Sequence, residues 1–324
     1  MGYIPAWLES RNGLACPNCG GKLRLDRHQL RCEGCGREFE VRDGIPYFVS
    51  LNDLDSFERE ESEFHSLIAE EADSAHGYNT LRSEYLHHNF LEPIFALPEC
   101  SIILDVACGS GVDTIKLARK GYYVIGIDIA PGMLRTARRK AVEAGISENV
   151  FLAVARASNL PFPDNYFSAS TICAALHHMQ DPRQVLGEIG RTTCEGGIVS
   201  IGSEPNAWIY AFRGIKHSTI GRKILRRVRD DYTVGDQPPG DRTTPGWKRK
   251  DWQTLFADSE LDVLSVSPIW YLNGGLSALG IKTLPRGVER AICDLDRFLS
   301  HIPYLKEYSF KWNVIARKGK EVAD

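Results

Sequence analysis

Two pairs of cysteines, Cys16-Pro-Asn-Cys19 and Cys32-Glu-Gly-Cys35, stand near the start of the chain with twelve residues between them. Glycines at Gly20, Gly21, Gly34 and Gly36 let each pair turn tightly, so that two thiolates face one point. Two such turns supply the four sulfurs of a tetrahedral zinc site, and four thiolates leave no position open for water. The expected site is structural. Unlinked cytosolic thiols are the alternative; a redox C-x-x-C is disfavoured because no βαβ pattern surrounds either pair.

A second set of chemical residues lies mid-chain. Asp105, Gly109 and Gly111 follow the apolar run Ile102–Leu104, and Asp128 ends the run Val124–Ile127. Gly-x-Gly between a strand and a helix permits a tight turn and close backbone approach, and an acid at the next strand tip takes ribose hydroxyls in dinucleotide folds. That pattern alone does not separate a nicotinamide from other adenosine cofactors. His177-His178, after a later run, could take a proton from a hydroxyl or an acidic carbon. The alternative is that the pair packs the strand end and orients loops.

The elements that must position these residues are legible as apolar runs at Ile102–Leu104, Val124–Ile127, Phe151–Ala155, Ser170–Ala174 and Gly197–Gly202. Helical stretches separate them, one running to about Lys120 and one over Gly132–Ala144. Strands alternating with helices predict a parallel sheet covered on both faces, with ligands beyond the carboxyl ends of its strands. The chain divides into residues 1–50 around the cysteines, a helical connector or lid at 51–98, and the sheet at 99–324. Insertions at about 205–250 and 272–303 shape a substrate pocket. Within the connector a helix near Leu81–Leu97 is expected to break at Pro93 and Pro98. Its acidic first half reads equally as a lid or as a solvated spacer.

Composition narrows the classes. The chain has 324 residues, 43% hydrophobic and 25% charged, with a net charge of −3. A broad nucleic-acid footprint is disfavoured by that charge. No apolar run approaches the ~18 residues of a membrane span, and the first residues have no apolar signal core. Four of nine cysteines fall in the metal pattern and the rest are scattered, as expected in the cytoplasm.

Family resemblance adds to this. Residues 14–49, through "REFEVRDGIPYFV" as much as the cysteines, resemble the small zinc-ribbon protein that activates tRNA and protein methyltransferases. "ILDVACGSG", "VIGIDIAPGMLRTAR", "NLPFPDNYF", "ALHHMQDPRQVLGEIGR" and "EGGIVSIGSEPN" together resemble class I S-adenosylmethionine (SAM) methyltransferases of the ubiquinone/menaquinone type. "YSFKWNVIARK" is similar to that fold's last, antiparallel strand. The resemblance implies a Rossmann-like, mostly parallel seven-stranded sheet with a zinc ribbon at its N-terminus. It also implies that Asp105, Ala107 and Gly109 surround the methionine of SAM and that Asp128 takes the ribose. Ile129 and Met133 then line the adenine, Ala157 offers backbone to its edge, and Ala174 closes the cleft floor.

Arg156 departs from that pattern. The family usually has Asp there, accepting from the adenine amine, and arginine has no acceptor. Ser168 likewise replaces a common Asp. Three readings stay open for Arg156: donation to or stacking on adenine; an outward turn onto an acidic substrate or a carboxylate such as Asp164; or a site that has drifted.

On the acceptor side, Glu204-Pro205-Asn206 is expected to end a strand facing substrate. Ile220, Ile224 and Val228 then form an apolar stripe, with Arg222, Lys223, Arg226, Arg227 and Arg229 on the other faces. Such a helix reads as a membrane-surface contact or as a cleft cover. A second helix, Gly287–Leu299, lies in the later insertion beside Trp270 and Tyr271. The reading as a whole is a SAM-dependent methyltransferase acting on a small-molecule or lipid-like acceptor, in the cytoplasm or peripheral to a membrane. Its rivals are an rRNA or tRNA methyltransferase, a SAM-using enzyme of different chemistry, and a non-catalytic adaptor.

Overall fold

The computed structural model describes residues 4–26, 29–70, 80–211, 238–278, 281 and 283–319. Its first layer is small. After a short helix α1 (Ala6–Glu9), strands β1 (Leu23–Asp26), β2 (Gln29–Cys32), β3 (Glu38–Arg42) and β4 (Ile45–Pro46) form an antiparallel meander in chain order. So few residues cannot bury a core alone, so the metal and a docking surface must hold them. The four sulfurs converge: Cys16 and Cys35 Sγ lie 3.8 Å apart, Cys19 and Cys32 Sγ 3.5 Å apart. Zinc–sulfur bonds of about 2.3 Å place tetrahedral sulfurs about 3.8 Å apart, so this geometry fits a structural zinc.

The second layer is a seven-stranded sheet in the order β10-β11-β9-β8-β5-β6-β7. Its strands are β5 (Ile102–Val106), β6 (Tyr123–Asp128), β7 (Val150–Val154), β8 (Phe167–Cys173), β9 (Thr193–Pro205), β10 (Leu261–Ile269) and β11 (Lys311–Lys318). β7, β6, β5, β8 and β9 run parallel; β11 is antiparallel to both neighbours. The expected sheet is present; most of its strands begin before the apolar runs, while β7 and β8 end one residue short of theirs, at Val154 and Cys173. β9 is the extreme case, because pairing on both sides carries it through Thr193 and Pro205. Helices α4 (Val112–Ala118), α5 (Pro131–Glu143) and α6 (Pro182–Thr192) connect the parallel strands.

The ribbon sits on the edge strand β7. Phe48 N–H donates to the Val154 carbonyl at 2.8 Å, and Tyr47 pairs with Val154 in a parallel bridge. Ala15 N–H reaches the Pro161 carbonyl at 2.9 Å. Leu8, Leu30, Phe39 and Phe48 join the same buried cluster as Phe151, Ala153 and Phe162. An edge strand with unpaired backbone groups is thereby covered from within the chain.

Two connector helices follow. α2 (Ser56–Leu67) starts with a capping box in which Asp55 accepts from Glu58 N–H and Glu58 accepts from Asp55 N–H. It lies on the N-terminal end of α5: Ser62 Oγ donates to the Ile129 carbonyl at 2.8 Å, and Gly132 N–H donates to Ser66 Oγ at 3.1 Å. A Cβ at Gly132 would stand 2.6 Å from the Ser66 carbonyl oxygen, so only glycine permits this approach. α3 (Leu81–Phe95) runs through Pro93, against the expected break. Pro93 falls in the last turn, where it removes one backbone bond, and Phe90, Leu91 and Ile94 are fully buried around it.

The first insertion contributes α7 (Ala207–Ala211) and α8 (Pro239–Thr243); the expected basic helix at 220–229 lies outside the described residues. After α9 (Asp251–Leu255), the second places α10 (Leu272–Ala278) and α11 (Arg286–His301) between β10 and β11. Buried Arg82 of α3 donates to the Asn273 side chain at 2.6 Å and to its carbonyl at 2.9 Å, tying this insertion to the connector. Among the described residues no helix is long and apolar enough to cross a membrane.

Because the metal holds the ribbon and the ribbon covers β7, Cys32→Ser should act in a graded way. Hydrogen exchange should show protection lost across residues 15–48 and weakened at β7, with β5 unchanged. Unchanged protection in the ribbon would show that its packing, not the metal, holds it.

Candidate functional site

The chain returns from β7 to β8 beside β5, so the strand order reverses at β5 and β8. A crevice opens there beyond their carboxyl ends. A cavity of about 610 Å³ occupies it. Its backbone is strained: Ala107 (φ 51°), Ala174 (φ 51°), Ser203 (φ 60°) and Trp270 (φ 73°) all line it in left-handed conformation. Such strain costs about 1–3 kcal/mol per residue and gathers where a ligand is held.

Nine of the ten residues expected to bind cofactor line this one cavity: Asp105, Ala107, Gly109, Asp128, Ile129, Met133, Arg156, Ala157 and Ala174. Gly109 has φ 53° and open space where a Cβ would be, which leaves its backbone accessible. Gly111 stands apart. It caps α4 with φ 78°, where a Cβ would come within 2.8 Å of Ala137, so its duty is packing between α4 and α5.

The acids are individually fixed. Asp128 accepts from Gly109 N–H and Ala130 N–H, both at 2.8 Å, which locks the two strand tips together. Burial pushes its pKa up, and these donors oppose that. Each of its oxygens keeps a second lone pair for a ligand hydroxyl. Asp105 accepts from Thr114 Oγ1 at 2.6 Å; burial first, and then Asp113, push its pKa well up. Asp113 in turn holds His87 Nδ1 at 2.7 Å.

Arg156 turns to a carboxylate, and the carboxylate is Glu58. Nε and Nη2 meet Glu58 at 2.7 and 2.8 Å, and Nη2 also donates to the Asp53 carbonyl at 2.6 Å. Glu58 raises the guanidinium's pKa further. Asp164, the neighbour considered from sequence, is instead held by Arg191 at 2.7 Å. The fork binds the tip of β7 to the first turn of α2, and both Arg156 and Glu58 line the cavity.

The histidines divide. His178 lines the cavity, whereas His177 is buried behind it. His177 Nδ1 is 3.1 Å from Glu204 Oε2, and Nε2 is 3.6 Å from Asp241. Burial lowers its pKa, but Glu204 and Asp241 outweigh this and set it at about 9. Burial and the neighbouring His177 push His178 down. Glu204 does not face substrate as expected. It is fully buried and accepts from Ala175 and Leu176 N–H at 2.9 Å and from Trp247 Nε1 at 3.0 Å, which fixes the turn carrying both histidines.

Sequence reading missed several polar residues of the cavity, four of which shape its chemistry most directly. Glu58, Glu61 and His65 come from α2, and Lys311 comes from β11. Glu61 accepts Gly240 N–H at 2.6 Å. Its burial opposes ionisation, but His178 and His65 hold its pKa down to about 2. Burial pushes the Lys311 ammonium down. Helical spacing of Glu61 and His65 was the available signal. Nothing local marked Lys311. Apolar side chains complete the wall, among them Phe57, Phe64, Leu86, Met179 and Trp270.

Known proteins agree with this geometry. Residues 104–201 match the family described as "Methyltransferase domain", and residues 12–44 match "Trm112p-like protein". A demethylmenaquinone methyltransferase of Corynebacterium kroppenstedtii is 36% identical over 200 residues, 57% of this chain and 76% of that one. A demethylmenaquinone methyltransferase of Corynebacterium urealyticum is 40% identical over 47% of this chain and 70% of its own. Among solved structures, the complex of the Haloferax volcanii Trm112 methyltransferase activator with a protein described as a methyltransferase is similar. Its TM-score is 0.52 at 18% identity, over 80% of this chain and 99% of that one. A strand-tip cleft with strained turns, an acid at β6 and a ribbon on β7 thus occurs in a chain with close methyltransferase relatives. The chain belongs to the class I SAM-dependent methyltransferases related to these enzymes and carries a Trm112-like zinc ribbon in cis.

Proposed function

We propose that this enzyme methylates a quinone-like, lipid-like acceptor, and that one cavity holds both reactants. The observation that carries the reading is that the cavity joins Asp128 and the strained turn at Ala107–Gly109 to an apolar wall bearing His178 and Lys311. The demethylmenaquinone methyltransferases among the relatives point the same way. Residues 1–50 act as the ribbon, 51–98 as the lid, and 99–324 carry the chemistry. An acceptor of this kind would bring the chain to a membrane surface.

SAM, when bound, supplies an electrophilic methyl group on a sulfonium. The chain's own residues do the rest. Asp128 accepts ribose hydroxyls with its remaining lone pairs, and Gly109 brings its backbone against the methionine end beside Asp105 and Ala107. Ile129 and Met133 line the adenine, next to Ala157, while Ala174 forms the floor. Glu58, held by Arg156, offers the acceptor that the family's aspartate would give to the adenine amine. Much of the rate in such a transfer comes from alignment within a closed, dry cleft. Lys311 faces the acceptor with a cation that stabilises a developing oxyanion. His178, with its ring held neutral, accepts the proton that the acceptor loses; His177 orients it from behind.

Labelled methyl transfer tests the reading: SAM carrying a labelled methyl group, given with a demethylated quinol, should yield labelled product and S-adenosylhomocysteine. Cofactor turnover with no label in the quinol would redirect the search for the acceptor. Asp128→Asn keeps the shape but loses the charge, and calorimetry should show SAM binding weakened by about 2 kcal/mol. An unchanged affinity would mean that ribose does not lie across this tip.

The Arg156–Glu58 exchange gives a sharper prediction. Glu58→Ala should weaken SAM about tenfold, or 1.4 kcal/mol. Adding Arg156→Asp to Glu58→Ala should recover part of this, since the carboxylate then comes from β7 itself. No recovery in the double variant contradicts the exchange.

A further inference from the structure

Glu61, His65 and His178 make an arrangement that hydrogen bonding does not account for. Glu61 Oε2 lies 3.2 Å from His65 Nε2 and 3.2 Å from His178 Nδ1. This oxygen is buried and accepts no well-aligned hydrogen bond, although both rings approach it closely enough to hold the carboxylate ionised. The hydrogen bond His178 does make to Glu61 is long, 3.4 Å to Oε1, and that oxygen already accepts Gly240 N–H. The two imidazoles stand nearly perpendicular, with centroids 5.3 Å apart. Two imidazole nitrogens and a carboxylate oxygen are thus gathered around one point, joined by a single long hydrogen bond, and their ligand atoms all lie within 4.8 Å of one another.

Two imidazole nitrogens and a carboxylate oxygen gathered this closely are a ligand set that a metal ion can use. Metal–nitrogen and metal–oxygen bonds of about 2.0–2.2 Å place tetrahedral ligand atoms about 3.3–3.6 Å apart, near the 3.2 Å at which each imidazole stands from Glu61. Glu61 and His65 are four residues apart on α2, so they project from one face of the helix. All three residues line the cavity. The ribbon is a different kind of site: four sulfurs, closed, and structural.

We propose that Glu61, His65 and His178 bind a divalent first-row cation, such as zinc, through a two-histidine, one-carboxylate set whose open position faces the acceptor. Such a set suits imidazole- and carboxylate-binding metals and leaves room for an oxygen ligand. The inference deepens the proposed methyl transfer and rests on it for the identity of that oxygen. An acceptor hydroxyl bound to the cation loses its proton more readily, and the resulting oxyanion is fixed beside Lys311. His178 then serves as a ligand, and the proton leaves to solvent instead of to the ring. Nothing else in the cleft needs to move: α2 already carries two ligands and is clamped at its first turn by Arg156.

Metal content of the full chain tests this without any acceptor. After equilibration with micromolar zinc and dialysis, the wild-type protein should retain about two zinc ions per chain, one for each site. His65→Ala, whose side chain is partly exposed, and the near-isosteric Glu61→Gln should each retain about one, with affinity for the second lowered by tenfold or more. Cobalt substitution assigns the losses. These variants should keep the thiolate charge-transfer band of the ribbon and lose the weaker ligand-field bands of a nitrogen and oxygen site. Wild-type protein that holds only the ribbon metal overturns the proposal and leaves the cluster as a hydrogen-bonded proton acceptor. Both variants still holding two ions overturns it as well. Asp128→Asn should keep both ions, so failure of the metal site and failure of the SAM site are distinguishable.

Discussion

The edge of the parallel sheet at β7 is the constraint on which the rest depends. A strand with one free side needs cover, and this chain covers its end with its own N-terminus through Phe48 and Tyr47 at Val154, while Ala15 bonds Pro161 in the loop beyond. That docking fixes where residue 49 emerges, and so fixes where α2 begins. Arg156 completes the link by gripping Glu58 at the end of the same strand. A half-buried carboxylate–guanidinium fork is chiefly a positioning device, since solvent screening and partial desolvation both reduce its net attraction. What it positions is the wall of α2 that brings Glu58, Glu61 and His65 to the cleft.

The histidine turn beside α2 is positioned by a fully buried carboxylate. Glu204 gives all its hydrogen-bonding capacity to the turn after β8 and to Trp247, so the histidine pair cannot drift. His177 is held charged between Glu204 and Asp241, and burial first, then that charge, pushes the His178 pKa down. Two adjacent imidazoles are thus driven to opposite protonation states by their surroundings, one for structure and one for chemistry. Such a division cannot be read from "LHH" alone.

Features that depend on neighbours in sequence were legible in advance. Cysteine spacing marked the ribbon, Gly-x-Gly marked the first turn, and the acid at Asp128 marked the second strand tip. The alternation of apolar runs marked the sheet, although pairing partners set the strand ends, as β9 shows. Features that depend on distant partners were hidden. Arg156 stood out as an oddity, but Glu58 lies 98 residues away in an acidic stretch that read equally as a lid or as a solvated spacer. Lys311 looked like any strand residue until the fold placed it in the cavity. Pro93 misled because local propensity was outweighed by the burial of its neighbours.

The central claim is that the ribbon-anchored helix α2 is a wall of the SAM cleft. Hydrogen exchange of the full chain with and without SAM tests it most directly. The account predicts that SAM protects Ser56–Leu67 together with the amides of Gly109 and Ala130, and that Arg156→Ala uncouples the helix from the strand tips. Protection confined to the strand tips, with α2 exchanging at the same rate in both states, would contradict it.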